Sequence, residues 1–160
     1  VPTLDDRLAG QGGAGKRWLD RLVREHPFDY RFVGPLPRVL PGMGTLPPRL
    51  KTWLRSRDEL SADPILNACA LLYVTDLFLL STALMPHVPI HEAKSVSRAS
   101  LDHTVWFHED TRVDEWLFFD MESTWAGHGR ALCNGRVFDR RGLQVATVMQ
   151  EVMIRPLGED

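Results

Sequence analysis

The feature that most constrains this chain is an unbroken apolar run between two prolines. Asp63 and Pro64 open it, Pro86 closes it, and between them lie Ile65-Leu66-Asn67-Ala68-Cys69-Ala70-Leu71-Leu72-Tyr73-Val74-Thr75-Asp76-Leu77-Phe78-Leu79-Leu80-Ser81-Thr82-Ala83-Leu84-Met85. Asp at the N-cap and Pro at the first helical position are strong start signals for a helix. The run is long enough to raise the question of a membrane span. Asp76 near its middle argues against one, because a charge in hydrocarbon is expensive, and no basic flank follows. The reading is a helix buried on nearly all sides inside a soluble domain.

The rest of the chain is strand-like. Phe28–Val33 and Leu50–Asp58 precede the helix, separated by residues 34–48, a loop dense in proline and glycine. After the helix, Ser95–Phe107 reads as one strand and Glu115–Trp125 as another. The turn at Ala126–Gly129 leads to Arg130–Phe138, and Asp139-Arg140-Arg141-Gly142 connects to the last strand, Leu143–Arg155. On that strand Ala146, Val148, Gln150, Val152 and Ile154 share one face. The expected fold is α+β, an antiparallel sheet wrapped around one long helix, with two strands before it and four after.

The 160 residues suffice for one domain with one core. The net charge of −2 gives no basic surface for nucleic acid. Cys69 and Cys133 are too far apart for a disulfide framework or a zinc site, so both are expected to be small buried residues in a reducing compartment. No signal peptide and no C-terminal address motif is visible, so a cytoplasmic location is expected. The first residues read as a linker. Gly10-Gln11-Gly12-Gly13-Ala14-Gly15 matches a dinucleotide fingerprint in letters, but no strand precedes it, and Lys16 is followed by Arg17 rather than Ser or Thr. Lys16 to Glu25 reads as a short helix with Trp18, Leu19, Leu22 and Val23 on one face.

Three polar residues stand where packing would prefer apolar ones: Asp76 in the helix, Ser100 in the long strand, and Gln150 on the inward face of the last strand. A buried carboxylate left without partners moves toward its neutral form, which suits a general base, and an amide and a hydroxyl are natural partners for it and for a held water. Ordinary structural roles for all three remain open. The six histidines show no metal-binding spacing, and no metal or cofactor is expected. A triad of Ser100, His103 and Asp102 is disfavoured, because adjacent strand residues face opposite ways and there is no nucleophile elbow. The five tryptophans could line an acyl pocket, although such residues are more often core.

Several motifs occur together in order: Ser100-Leu101-Asp102-His103-Thr104-Val105-Trp106-Phe107-His108, then Asp114-Glu115-Trp116-Leu117, Glu122-Ser123-Thr124, Gly135–Arg140 and Val145–Glu151. Across residues 63–155 this resembles the C-terminal half of the thioesterase II (TesB-like) acyl-CoA thioesterases. The resemblance implies a hotdog fold over residues 26–160, preceded by a linker and short helix at residues 1–25. It implies Asp76, Ser100 and Gln150 as a catalytic trio that orients water towards a fatty acyl-CoA thioester, with no acyl-enzyme and with a backbone N–H supporting the oxyanion. Such proteins usually carry two hotdog domains, so a homo-oligomer or pairing with an N-terminal hotdog domain is expected. Two rivals differ in kind. A hotdog hydratase would need a His five residues after Asp76, where Ser81 stands. A non-catalytic acyl-CoA-binding or assembly domain would keep the trio and release no thiol.

Overall fold

In the computed structural model, residues 20–22, 24–34, 45–87 and 96–156 are described. The linker reading at 1–15, the glycine-rich segment and most of the proline-rich loop fall outside them. Of the short helix expected before β1, residues 20–22 and 24–25 are helical.

Among the described residues, seven strands form one antiparallel sheet around one long helix. They are β1 (Phe28–Val33), β2 (Arg49–Ser56), β3 (Val96–Ser100), β4 (Thr104–Phe107), β5 (Leu117–Gly127), β6 (Arg130–Phe138) and β7 (Gln144–Pro156), and the helix is α1 (Pro64–Leu84). The order across the sheet is β1-β2-β5-β6-β7-β3, with β4 continuing the β3 edge along β7. This is the hotdog arrangement, with α1 lying on β5, β6 and β7.

Both ends of α1 follow from local chemistry. Asp63 caps the first turn by accepting from the Ile65 N–H at 2.9 Å. Asn67 then ties that turn to its surroundings: its amide donates to the carbonyls of Ser61 and Asp63, and its oxygen accepts from the Val113 N–H at 3.0 Å. The core forms where alternate strand residues meet the helix. Tyr30 and Phe32 of β1 stand edge-on to Phe78, and Leu54, Phe119, Val137 and Val148 close around Leu71, Val74 and Leu79.

The structure corrects the sequence reading in three places. First, α1 is long and apolar enough to cross a membrane by length and composition, and its C-terminal stretch is buried nearly all round, but its stretch up to Asp76 packs along one side only. Ile65, Leu66, Leu72 and Tyr73 are exposed, and so are Cys69 and Asp76. An apolar helix with no polar face gives no sequence signal of which side is covered. Of the two cysteines only Cys133 is buried; burial raises its pKa, opposed by hydrogen bonds to Thr82 and Ser123.

Second, the strand expected at Ser95–Phe107 is two strands, which makes five after the helix. Ser100 pairs with Val152 and Thr104 with Met149, so four steps on one strand match three on its neighbour. The extra residue is a β-bulge at Leu101–His103. It is held by the Asp102 carboxylate, which accepts from the Glu151 N–H at 2.7 Å, and by the Leu101 N–H, which donates to the Glu151 carbonyl at 2.9 Å. Third, the tryptophans among the described residues do not form a shared lining. Trp106 and Trp125 are half exposed, and Trp116 lies under the guanidinium groups of Arg31 and Arg55.

Candidate active site

Gln150, Ser100 and Asp76 come from three different elements and meet at one atom. Gln150 sits on the inward face of β7 and is fully buried. Its Nε2 donates to Asp76 Oδ1. The carboxylate can only accept, so the amide must present its NH₂ group there. Ser100, the last residue of β3, pairs with Val152 and therefore shares its inward face; its hydroxyl donates to the same Oδ1 at 3.3 Å. Asp76 reaches this point from the middle of α1, where the sheet's cover gives way to the exposed stretch. The other carboxylate oxygen, Oδ2, has no partner among the described residues.

The burial expected for Asp76 is not found, since its side chain is 49 % exposed. What defines this carboxylate is directional bonding on one oxygen, with no partner among the described residues on the second. That is a suitable geometry for holding water: Oδ1 is anchored, and Oδ2 is free to accept a hydrogen.

A fourth residue belongs to the cluster, one that sequence reasoning set aside. His103 lies beside Asp76, with Nδ1 at 3.8 Å from Oδ1 and a ring only 14 % exposed. Its Nε2 is 3.1 Å from Thr75 Oγ1. Strict alternation would have turned His103 away from Ser100's face. The bulge adds one residue, reverses the alternation, and turns both side chains to the helix. An Asp two residues after a Ser, in a run otherwise suited to a strand, was the available signal, because Asp competes for nearby backbone N–H groups. Asp102 itself points to the β7 backbone, so no Ser-His-Asp triad forms. Among the described residues no group of His, Cys, Asp and Glu is arranged to hold a metal ion.

Known proteins are similar to this chain over most of its length. The acyl-CoA thioesterase C-terminal domain family matches residues 4–154. Acyl-coenzyme A thioesterase 8 of Rattus norvegicus is 36 % identical over 139 residues, covering 86 % of this chain and 42 % of the relative. Acyl-CoA thioesterase 2 of Haemophilus influenzae is 32 % identical over 139 residues, covering 85 % and 47 %. The crystal structure of an acyl-CoA thioesterase II, TesB2, from Mycobacterium marinum superposes with a TM-score of 0.71 at 38 % identity, covering 98 % of this chain and 54 % of that one. The chain thus spans about half the length of the relatives it matches. With the family's match running from before β1 into β7, the chain belongs to the acyl-CoA thioesterase C-terminal domain family.

Proposed function

We propose that this chain is the catalytic half of a double-hotdog enzyme that hydrolyses fatty acyl-CoA thioesters with an oriented water. The observation that carries the reading is the convergence of Gln150 Nε2 and Ser100 Oγ on Asp76 Oδ1, with no bond to Oδ2 from the described residues. Water bound at Oδ2 gives its proton to Asp76 as its oxygen attacks the thioester carbonyl carbon. The Ser100 hydroxyl keeps lone pairs that can hold the water's second hydrogen. Gln150 keeps the carboxylate from swinging away. Proximity and orientation supply most of the advantage, with proton transfer adding to it. The tetrahedral oxyanion then collapses, the C–S bond breaks, and the proton taken up by Asp76 is available to the departing thiolate. No acyl-enzyme is formed.

The second half of the proposal concerns assembly. Ile65 is 73 % exposed and Tyr73 47 % exposed, both on the stretch of α1 leading to Asp76, and Trp106 and Phe107 are half exposed beyond the bulge. Apolar side chains of this size beside a site are suited to cover by a partner. We read the partner as a second hotdog domain, either an N-terminal one or another copy of this chain. A monodisperse monomer in light scattering would count against a self-associating form.

The test is release of free thiol from a panel of acyl-CoAs, short to long, by the wild-type chain and by Asp76→Ala. Release that vanishes in the folded variant supports the reading, and the panel reports chain length. Binding of acyl-CoA without thiol release, by both proteins, favours a binding or assembly domain. That second reading draws on the exposed helix face and on the chain's coverage of only half of its relatives.

A further inference from the structure

Building on the hydrolytic reading, we infer that His103 is a positioning residue for Asp76, carrying its proton on Nδ1 and donating it towards Oδ1. The inference starts from an orphan. His103 Nδ1 is buried and has no hydrogen-bond partner among the described residues. The polar atom it faces is Asp76 Oδ1, 3.8 Å away. Ring nitrogens in such a place come in two kinds. A bare Nδ1 would set its lone pair against a carboxylate oxygen in a partly dry site, which is repulsive. A protonated Nδ1 would be attracted to it.

Thr75 decides whether the second arrangement is affordable. Its hydroxyl has one hydrogen and two acceptors in reach, the Leu72 carbonyl at 3.0 Å and His103 Nε2 at 3.1 Å. Leu72 O lies inside α1, where the N–H four residues on already serves it. The Thr75 hydrogen can therefore go to Nε2 without orphaning a carbonyl. That leaves Nδ1 as the protonated nitrogen of the neutral ring, and an imidazolium would carry a proton there as well. The gap to Oδ1 is too wide for a hydrogen bond as it stands. The outer torsion of the imidazole is soft, and the inference requires it to turn Nδ1 closer to Oδ1. Asp76 Oδ1 then receives donors from β3, from the bulge and from β7, and the carboxylate plane is fixed with Oδ2 aimed outward. Among the described residues, the polar groups that meet the ring are Asp76 and Thr75 of α1, and Ser100 and Gln150 bond the same carboxylate.

Two measurements test this. The first is ¹⁵N NMR of the imidazoles in wild-type protein and in Asp76→Asn. A protonated Nδ1 on His103, shifted by the Asp76 change, is expected; a bare Nδ1 overturns the inference. The second is kinetic. His103→Ala should lower kcat about ten- to a hundredfold with KM nearly unchanged, the size of a lost bond to a charged group. His103→Asn, whose amide nitrogen falls near the Nδ1 position, should recover much of that loss, and His103→Gln should not. In the Asp76→Asn background, His103→Ala should cost nothing more. Losses that simply multiply, or an unchanged kcat in folded His103→Ala, would overturn the inference. If wild-type protein releases no thiol from any acyl-CoA while Nδ1 carries the proton, the hydrolytic reading falls and the placement of the proton stands.

Discussion

From Phe78 to Met85 the long helix is buried almost without interruption, with Phe78, Leu79 and Thr82 at zero exposure. From Ile65 to Tyr73 the same helix, no less apolar, leaves four large side chains uncovered. The two stretches differ in what lies across from them, not in composition. The C-terminal stretch has Tyr30 and Phe32 of β1 crossing Phe78 and the middle of the sheet beneath it. The N-terminal stretch presents one side to the sheet and the other to solvent. Asp76 sits at the seam between them. A carboxylate there can keep one oxygen in a bonded cluster and the other in water. Neither stretch alone would allow that.

This contrast can be broken most forcefully at the seam. Asp76→Asn should lower thiol release about a hundred- to ten-thousandfold, while its thermal melt stays close to wild type because the side chain is half exposed. A variant that keeps full activity and folds normally would end the mechanism. On the buried stretch, Phe78→Ala should cost about 3–5 kcal/mol in denaturant unfolding, through lost burial and a residual cavity. A cost below about 1 kcal/mol would mean that the end we call core is loosely packed.

Tyr30, against Phe78, sharpens the comparison through pH. Its hydroxyl is buried with no hydrogen-bond partner among the described residues, and burial first, then the nearby Tyr73, pushes its pKa well above the usual 10.0. The folded pKa is the higher one, so the associated stability is complete below about pH 10 and is lost as pH rises beyond it, where the unfolded chain ionises first. Tyr30→Phe should remove that alkaline slope in a pH series of melts. At neutral pH it should match or slightly exceed wild type, because no bonded partner is orphaned. The smallest effect belongs to the exposed stretch. Ile65→Ser should shift the chain's own stability by no more than about 0.5 kcal/mol, yet weaken any self-association seen by light scattering. A large loss of stability in the monomer would show that this face is already covered.

Much of the architecture was legible because its signals are local. Asp63-Pro64 marks the helix start, the run Phe28–Val33 is β1 to the residue, and Arg130–Phe138 is β6 likewise. Asp76, Ser100 and Gln150 stood out as polar residues in apolar surroundings, and the structure brings those three together. What could not be read was anything that depends on facing. The exposure of Asp76 and Cys69 follows from which side of a uniformly apolar helix meets the sheet, and the periodicity of α1 carries no trace of it. His103 was missed for a related reason. Its position on the site's face requires an extra residue in the ladder, and the segment Ser95–Phe107 reads as continuous strand until Asp102 is seen bonding the Glu151 N–H.

The bulge at Leu101–His103 also works as a parity change. Before it, the even-numbered Arg98 and Ser100 pair with Ile154 and Val152 on the inward set of β7; after it, the odd-numbered Val105 pairs with Val148 of that same set. A segment in strict alternation could satisfy one of these phases and not both. Removing one residue here would leave a ladder of nearly the same length with its two ends in conflict. Either Ser100 would leave the carboxylate or Val105 would leave the core. Length at this point is thus as much a part of the site as the identity of the side chains around it.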